Sequence, residues 1–429
     1  MSILVAILAL SFLIVVHEFG HFIVAKLSGI KVLDFSLFMG PKLFSFRKGE
    51  TLYSIRLIPL GGYVRMEGEE QKSDDLRAYN NKPVLVRAAV IAAGPVMNII
   101  TAIILITIIT SVAGYSTNEV DFVAPTTAAA EARIQAGDRI VSYDNKKVYH
   151  PNDIGLFVYG TKGKPVNVEI ERNNEKRTVV VKPETIPAER YILGFGPQKG
   201  YGEGSNAVKT VQEDSDAFKA GLKPGDVITR LNDMPIENNR QIRDFMAVNK
   251  GNAVNVTIDR GGEEEVLKIT PIVTKGQEMY EVGMDFKSTK SGLVSTVKNS
   301  AIYAYALSRN VYYSLAWLVT GKVSLDQMSG PVGIVNAIGD VVEMSPTLSD
   351  RILNLLNVVA FISINLGLFN LIPFPALDGS KLILLAVEGI RRKAIPPEKE
   401  AFISLIGLVL LVMLMIFATY NDILRLSGG

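Results

Sequence analysis

Three runs of this sequence are apolar for longer than a soluble helix requires: residues 3–27, 84–112 and 401–420. A helix needs about 20 residues to cross a hydrocarbon core, so each run predicts a membrane span. A fourth stretch, 353–372, is nearly as apolar but carries Asn354, Asn357, Asn365 and Asn370 before it meets Pro373 and Pro375. It reads as a broken span. A content of 48% hydrophobic residues over 429 positions and a mean hydropathy of +0.25 agree with a polytopic chain. No basic residue precedes the first run and no small-residue cleavage site follows it, so it reads as a retained helix and not as a removed signal peptide.

Orientation follows from Lys and Arg in the short connectors. The first connector holds Lys31, Lys42, Arg47, Lys48, Arg56 and Arg65 among others, and the last holds Arg391, Arg392, Lys393 and Lys399. Both belong in the cytoplasm, which puts the two termini and the long middle region outside. A net charge of +2 supplies no basic field for nucleic acid. The absence of cysteine excludes disulfides, thiolate metal sites and a cysteine nucleophile, leaving His and carboxylates as metal ligands.

The middle region repeats. Ala136-Gly137-Asp138-Arg139-Ile140 returns as Pro224-Gly225-Asp226-Val227-Ile228, an offset of 225 − 137 = 88 residues. A period that long predicts two copies of a small β-rich domain and not a solenoid. Between the first two spans, residues 43–47 and 51–58 alternate around Lys48-Gly49 as a β-hairpin would. The stretch 302–319, with Trp317, Tyr312 and Tyr313 but interrupted by Ser308-Arg309-Asn310, predicts an interfacial amphipathic helix.

The chemistry begins at His17-Glu18-Phe19-Gly20-His21. On a helix this H-E-x-x-H pattern puts two imidazoles one turn apart on one face, spaced for one metal, with Glu18 displaced round the helix as a general base. Ionisable groups inside an apolar helix are costly and rarely lack a role. A hydrolytic zinc takes three protein ligands. Asp378 is the candidate third, because Asn370-Leu371-Ile372-Pro373-Phe374-Pro375-Ala376-Leu377-Asp378-Gly379 sets it just beyond the broken span; a helix N-cap is its other reading. Four spans, with 302–319 not crossing, bring all three residues to the cytoplasmic side. A peptide bond in a helix must be locally extended before attack, and the strand 51–58, including Ser54 and Ile55, is expected to hold such a substrate by strand addition.

The H-E-x-x-H, the Asn-x-x-Pro-x-Pro-x-Leu-Asp-Gly run, Gly94-Pro95-Val96-Met97-Asn98 and Gly330-Pro331-Val332-Gly333-Ile334 together resemble the site-2 protease family of intramembrane zinc metalloproteases, in its regulator of sigma-E form. The two repeats resemble tandem PDZ domains, the second more closely. The resemblance implies zinc held by His17, His21 and Asp378, Glu18 as base, Asn365 and Asn370 in contact with substrate, and a hairpin that dips into the membrane. It implies single-span substrates such as a trimmed anti-sigma factor or signal peptides, in a bacterial inner membrane with the PDZ pair periplasmic.

The expected fold is a polytopic α-helical membrane protein with four transmembrane helices, two β-rich PDZ domains and a membrane-associated β-hairpin. The expected bounds are 1–28 for the first span, 29–83 for the hairpin segment, 84–114 for the second span, and 119–190 and 195–275 for the PDZ pair. Residues 291–350 form interfacial helices, 352–390 the broken third span and 400–421 the fourth. The rival functional readings are an inactive PDZ scaffold, which would lack cleavage, and a zinc transporter, which would show repeated spans.

Overall fold

The computed structural model describes residues 2–69, 71–197, 206–276, 278–323, 329–343, 345 and 347–427. Residues 198–205 of the second repeat and 324–328 of the segment 291–350 lie outside them. The chain divides into a helical unit (1–112, 297–343 and 349–428) and a β-rich unit built mainly from 113–296.

In the helical unit four helices are long and apolar enough to cross a membrane among the described residues: Ser2–Leu27, Val84–Ala113, Leu348–Asn370 and Pro397–Ser427. The first two approach closely because Gly20 has no side chain; a Cβ there would collide with the Ala93 carbonyl and lie 2.9 Å from the Met97 Cβ. The helix Leu293–Val319 does not count among the membrane-length four. One face of it is nonetheless packed: Ala304, Leu307 and Val311 form a core with Ala102 and Ile106 of the second helix and Ala360 and Ile364 of the third. Its opposite face leaves Tyr305 and Tyr312 exposed, the amphipathicity that the sequence announces.

The third helix stops at Asn370, a loop carries the two prolines, and a new helix runs Asp378–Arg391. The break is firmly built. Ala376 holds φ +75°, a left-handed conformation that a Cβ-bearing residue adopts only when its surroundings impose it. A Cβ at Gly407 of the fourth helix would strike the Pro375 carbonyl, and one at Gly379 would strike the carbonyls of Leu371 and Ile372. Two glycines therefore clamp the loop. A separate clamp sits at the helix Pro331–Glu343: the buried Asp422 carboxylate accepts N–H bonds from Gly330 at 3.1 Å and Gly333 at 2.7 Å, satisfying donors that a helix start leaves open.

The hairpin segment is more than a hairpin. Strands Val32–Lys48 and Thr51–Met66 fold back on themselves, so that Phe35 pairs with Val64 on one side and Tyr53 on the other. Ser54 faces both Ser36 and Ser45, and Ile55 faces both Leu37 and Phe44. Ser54 is buried and its hydroxyl donates to Ser36 Oγ at 3.0 Å. This corrects the expectation of a strand edge open to addition at Ser54 and Ile55, although the Ile55 side chain itself is exposed. The strand has neighbours on both sides, and the free edges are formed by residues 42–48 and 62–66.

In the β-rich unit the 88-residue offset holds atom by atom. Arg172 reaches the Asp138 carboxylate through Nε (2.6 Å) and Nη2 (2.7 Å) and the Arg133 carbonyl through Nη2 (2.8 Å). Arg260 does the same with Asp226 (2.7 Å twice) and the Gly221 carbonyl (2.8 Å). Asn118 donates to Ile140 O and Asn206 to Ile228 O; Thr127 and Ser215 each accept from the backbone three residues on. The modules differ in one strand. Val211 of the second pairs with Phe195, which precedes it, whereas the equivalent Val123 of the first pairs with Met284, far downstream. The first module's sheet thus takes an edge from Met284–Thr289, outside both expected boundaries. The second module is nested inside the first, entered and left through the paired segments Glu189–Ile192 and Ile272–Lys275. It has its own core, with Ile228, Leu231, Val256, Ile258 and Ile269 fully enclosed.

Candidate metal centre

His17 and His21 lie on the first helix and Asp378 opens the helix after the broken span. Their donor atoms converge: His17 Nε2 lies 3.0 Å and His21 Nε2 3.5 Å from Asp378 Oδ2, and the two Nε2 atoms are 3.2 Å apart. Zinc bound tetrahedrally at roughly 2.0–2.1 Å implies donors about 3.3 Å apart. The triangle fits. Both histidines are buried, their rings nearly perpendicular at 84°, and among the described residues the two imidazoles alone face Asp378 Oδ2. A buried carboxylate oxygen without a firm donor is rare, and a cation shared with two imidazoles accounts for it. Asp378 also occupies the first position of its helix, with Leu377 as the capping residue, so its side chain is not the cap.

The ring nitrogens that face away from the triangle have partners on the second helix. His21 Nδ1 lies 2.8 Å from the Val90 carbonyl, and His17 Nδ1 lies 3.2 Å from the Asn98 side-chain amide. Asn98 is fully buried, its own carbonyl accepts from Ser363 at 2.7 Å, and its Oδ1 has no partner. Room for the rings comes from Gly94, where a Cβ would run into both imidazoles.

Glu18 stands beside the triangle and outside it. One carboxylate oxygen accepts the Val64 N–H at 3.1 Å. Gly62, on the same free edge of the sheet, leaves room next to the Glu18 side chain. Ser54 and Ile55 are placed two strands further in, behind Ser36 and Leu37, and are not on that edge. Asn365 donates to the Phe361 carbonyl of its own helix at 2.9 Å, and Asn370 ends that helix half-buried; neither joins the donor triangle. The third histidine, His150, belongs to the β-rich unit, where its ring accepts from Asn152 N–H at the start of the helix Pro151–Thr161. Burial pushes its imidazole down to about 4, so it is a neutral cap at ordinary pH.

Sequence reading had no role for Asn98, Ser363, Val64 or the Val90 carbonyl. For Asn98 a signal was present, since an amide inside a membrane-length apolar helix is costly; for the backbone groups of Val64 and Val90 none exists.

Residues 5–414 match the model of peptidase family M50. The zinc metalloprotease RasP of Oceanobacillus iheyensis is 31% identical over 98% of each chain, and the regulator of sigma-W protease RasP of Bacillus subtilis is 30% identical over 96% of each. Among solved structures, the HtrA3 PDZ domain bound to a phage-derived ligand matches 22% of this chain and 93% of its own length, at 20% identity and a TM-score of 0.18. With a family match across nearly the whole chain and four membrane-length helices, this protein belongs to peptidase family M50 and is a membrane zinc metalloprotease.

Proposed function

We propose that the enzyme cuts single-span membrane proteins inside the bilayer, with His17, His21 and Asp378 as zinc ligands and Glu18 as general base. The observation that carries this reading is the convergence of three donor atoms, one without any other partner, among helices long enough to span a membrane. Bound zinc supplies Lewis-acid polarisation of the scissile carbonyl. The chain supplies the rest. The Val64 N–H holds one oxygen of Glu18, leaving the other to take a proton from the attacking water and hand it to the departing amine. The free edge at residues 62–66 runs beside Glu18, and an extended substrate segment paired there would present its backbone to the base. Exposed Leu43, Phe44, Phe46, Leu57 and Ile58 suit a sheet that enters the membrane.

The basic connectors support a periplasmic β-rich unit, whose two modules act as PDZ domains. The sigma-W regulator among the relatives supports a signalling substrate such as a trimmed anti-sigma factor, and signal-peptide remnants have the same single-span form. The test is mass spectrometry of co-expressed single-span substrates with wild type and Glu18→Gln. The variant is expected to keep zinc and lose cleavage. Loss of zinc would make Glu18 a ligand and overturn the assignment.

A further inference from the structure

We propose that Asn98 is the positioning residue that fixes His17 in its zinc-ligating tautomer. The inference rests on the reading of His17, His21 and Asp378 as the zinc ligands. A neutral imidazole has one N–H, so a ring that ligates through Nε2 must carry its proton on Nδ1 and offer it to an acceptor. For His21 the acceptor is the Val90 carbonyl at 2.8 Å, a backbone group whose role cannot reverse. For His17 the partner is the Asn98 side chain at 3.2 Å, with the amide nitrogen toward the ring and the oxygen buried without a partner.

Amide oxygen and nitrogen have nearly the same shape, and the hydrogen-bond network decides between the two orientations. With nitrogen toward the ring, His17 Nδ1 must accept, its proton sits on Nε2, and an N–H points into the donor triangle where a ligand lone pair is required. With the amide turned end for end, Oδ1 accepts from Nδ1–H and Nε2 is bare. Only the second orientation lets His17 ligate.

The residue is held where this works. Its backbone carbonyl accepts from Ser363 Oγ at 2.7 Å, and Gly367 lets the third helix come close, since a Cβ there would be 2.8 Å from the Pro95 carbonyl and 3.4 Å from the Asn98 Cβ. In the orientation drawn the buried Oδ1 has no partner, so packing alone gives no reason for an asparagine here. The His17 Nδ1 proton does.

The test compares Asn98→Leu and Asn98→Asp in the full chain, purified in detergent, with zinc affinity read by competition against a chelator and helix content by circular dichroism. Leucine matches the shape and removes the acceptor, and it should weaken zinc binding about 10–100-fold with helix content unchanged. Aspartate restores an acceptor and should bind zinc within about threefold of wild type or more tightly. Wild-type zinc affinity in Asn98→Leu would overturn the proposal, as would equal weakening in both variants, which would show a packing role. Asp378→Ala is measured alongside: if it keeps wild-type zinc affinity, the three-ligand reading fails at its root, a result distinct from failure at Asn98 alone.

Discussion

Two carboxylates of the β-rich unit and one of the helical unit are placed in opposite ways. Asp138 and Asp226 of the β-rich unit have no accessible side-chain surface to speak of, and each is saturated: two bonds from an arginine fork and one from a backbone N–H. Asp378 of the helical unit has an oxygen within reach of two imidazoles and of no other donor among the described residues. A carboxylate that serves the fold has its lone pairs filled by the chain. Asp378 Oδ2 instead faces two imidazoles, an arrangement suited to a shared cation.

The sharpest way to break that contrast is Asp378→Ala. Activity is expected to fall about 10⁴-fold or more, with zinc content falling in parallel. Thermal unfolding of the zinc-free protein should barely move, because Oδ2 faces the two imidazoles and no other donor among the described residues. A large loss of stability in the zinc-free state would show Asp378 to be structural. Arg260→Ala is the counterpart. It strands the buried Asp226 carboxylate and should destabilise the second module, read as faster hydrogen exchange at the amides of Val254–Arg260 with cleavage of a short substrate preserved. Asp226→Ala should cost less, since Arg260 is 28% exposed and can rehydrate.

The same pair gives a pH dependence. Burial would push the Asp226 carboxyl up, but the Arg260 fork and the Lys223 N–H outweigh it and hold the group below the usual carboxylate range. A depressed folded pKa contributes stability above the unfolded value near 3.9 and loses it as pH falls through the folded one. Hydrogen exchange in the second module should therefore accelerate below about pH 4, and Asp226→Asn should remove that component. The smallest effect concerns Asn365, whose amide donates to the Phe361 carbonyl of its own helix. Asn365→Leu should leave stability within about 0.5 kcal/mol while turnover drops several-fold; unchanged turnover would remove it from substrate contact.

The membrane-length helices and the meeting of His17, His21 and Asp378 were legible because each leaves a local signature: a run of apolar residues, a one-turn spacing, a proline break beside a lone aspartate. The 88-residue repeat was legible for the same reason. Three things were not. The pairing of Ser54 on both sides depends on strands folding back at residues 38–41 and 57–61, and alternation along one strand says nothing about how many neighbours it has. The backbone donors and acceptors at Val64 and Val90 carry no residue type to read. The edge strand Met284–Thr289 lies outside the repeat because it joins the first module from the wrong end of the chain, and an offset search aligns only segments in the same order.

That last strand has a consequence for biosynthesis. Tyr115–Val123 leaves the ribosome early, but its neighbour at Met284–Thr289 follows only after the nested module has been translated, roughly 10–30 s later at ordinary elongation rates. During that interval the first module exposes an unpaired β-edge, the kind of surface that recruits foreign strands. The inner module, contiguous and with its own core, can fold while the outer one waits. The element begun first is therefore closed last. A chain released prematurely between the two modules would carry an outer module that can never close, whereas excision of the inner one at its paired stem, Glu189–Ile192 with Ile272–Lys275, would leave the outer sheet whole.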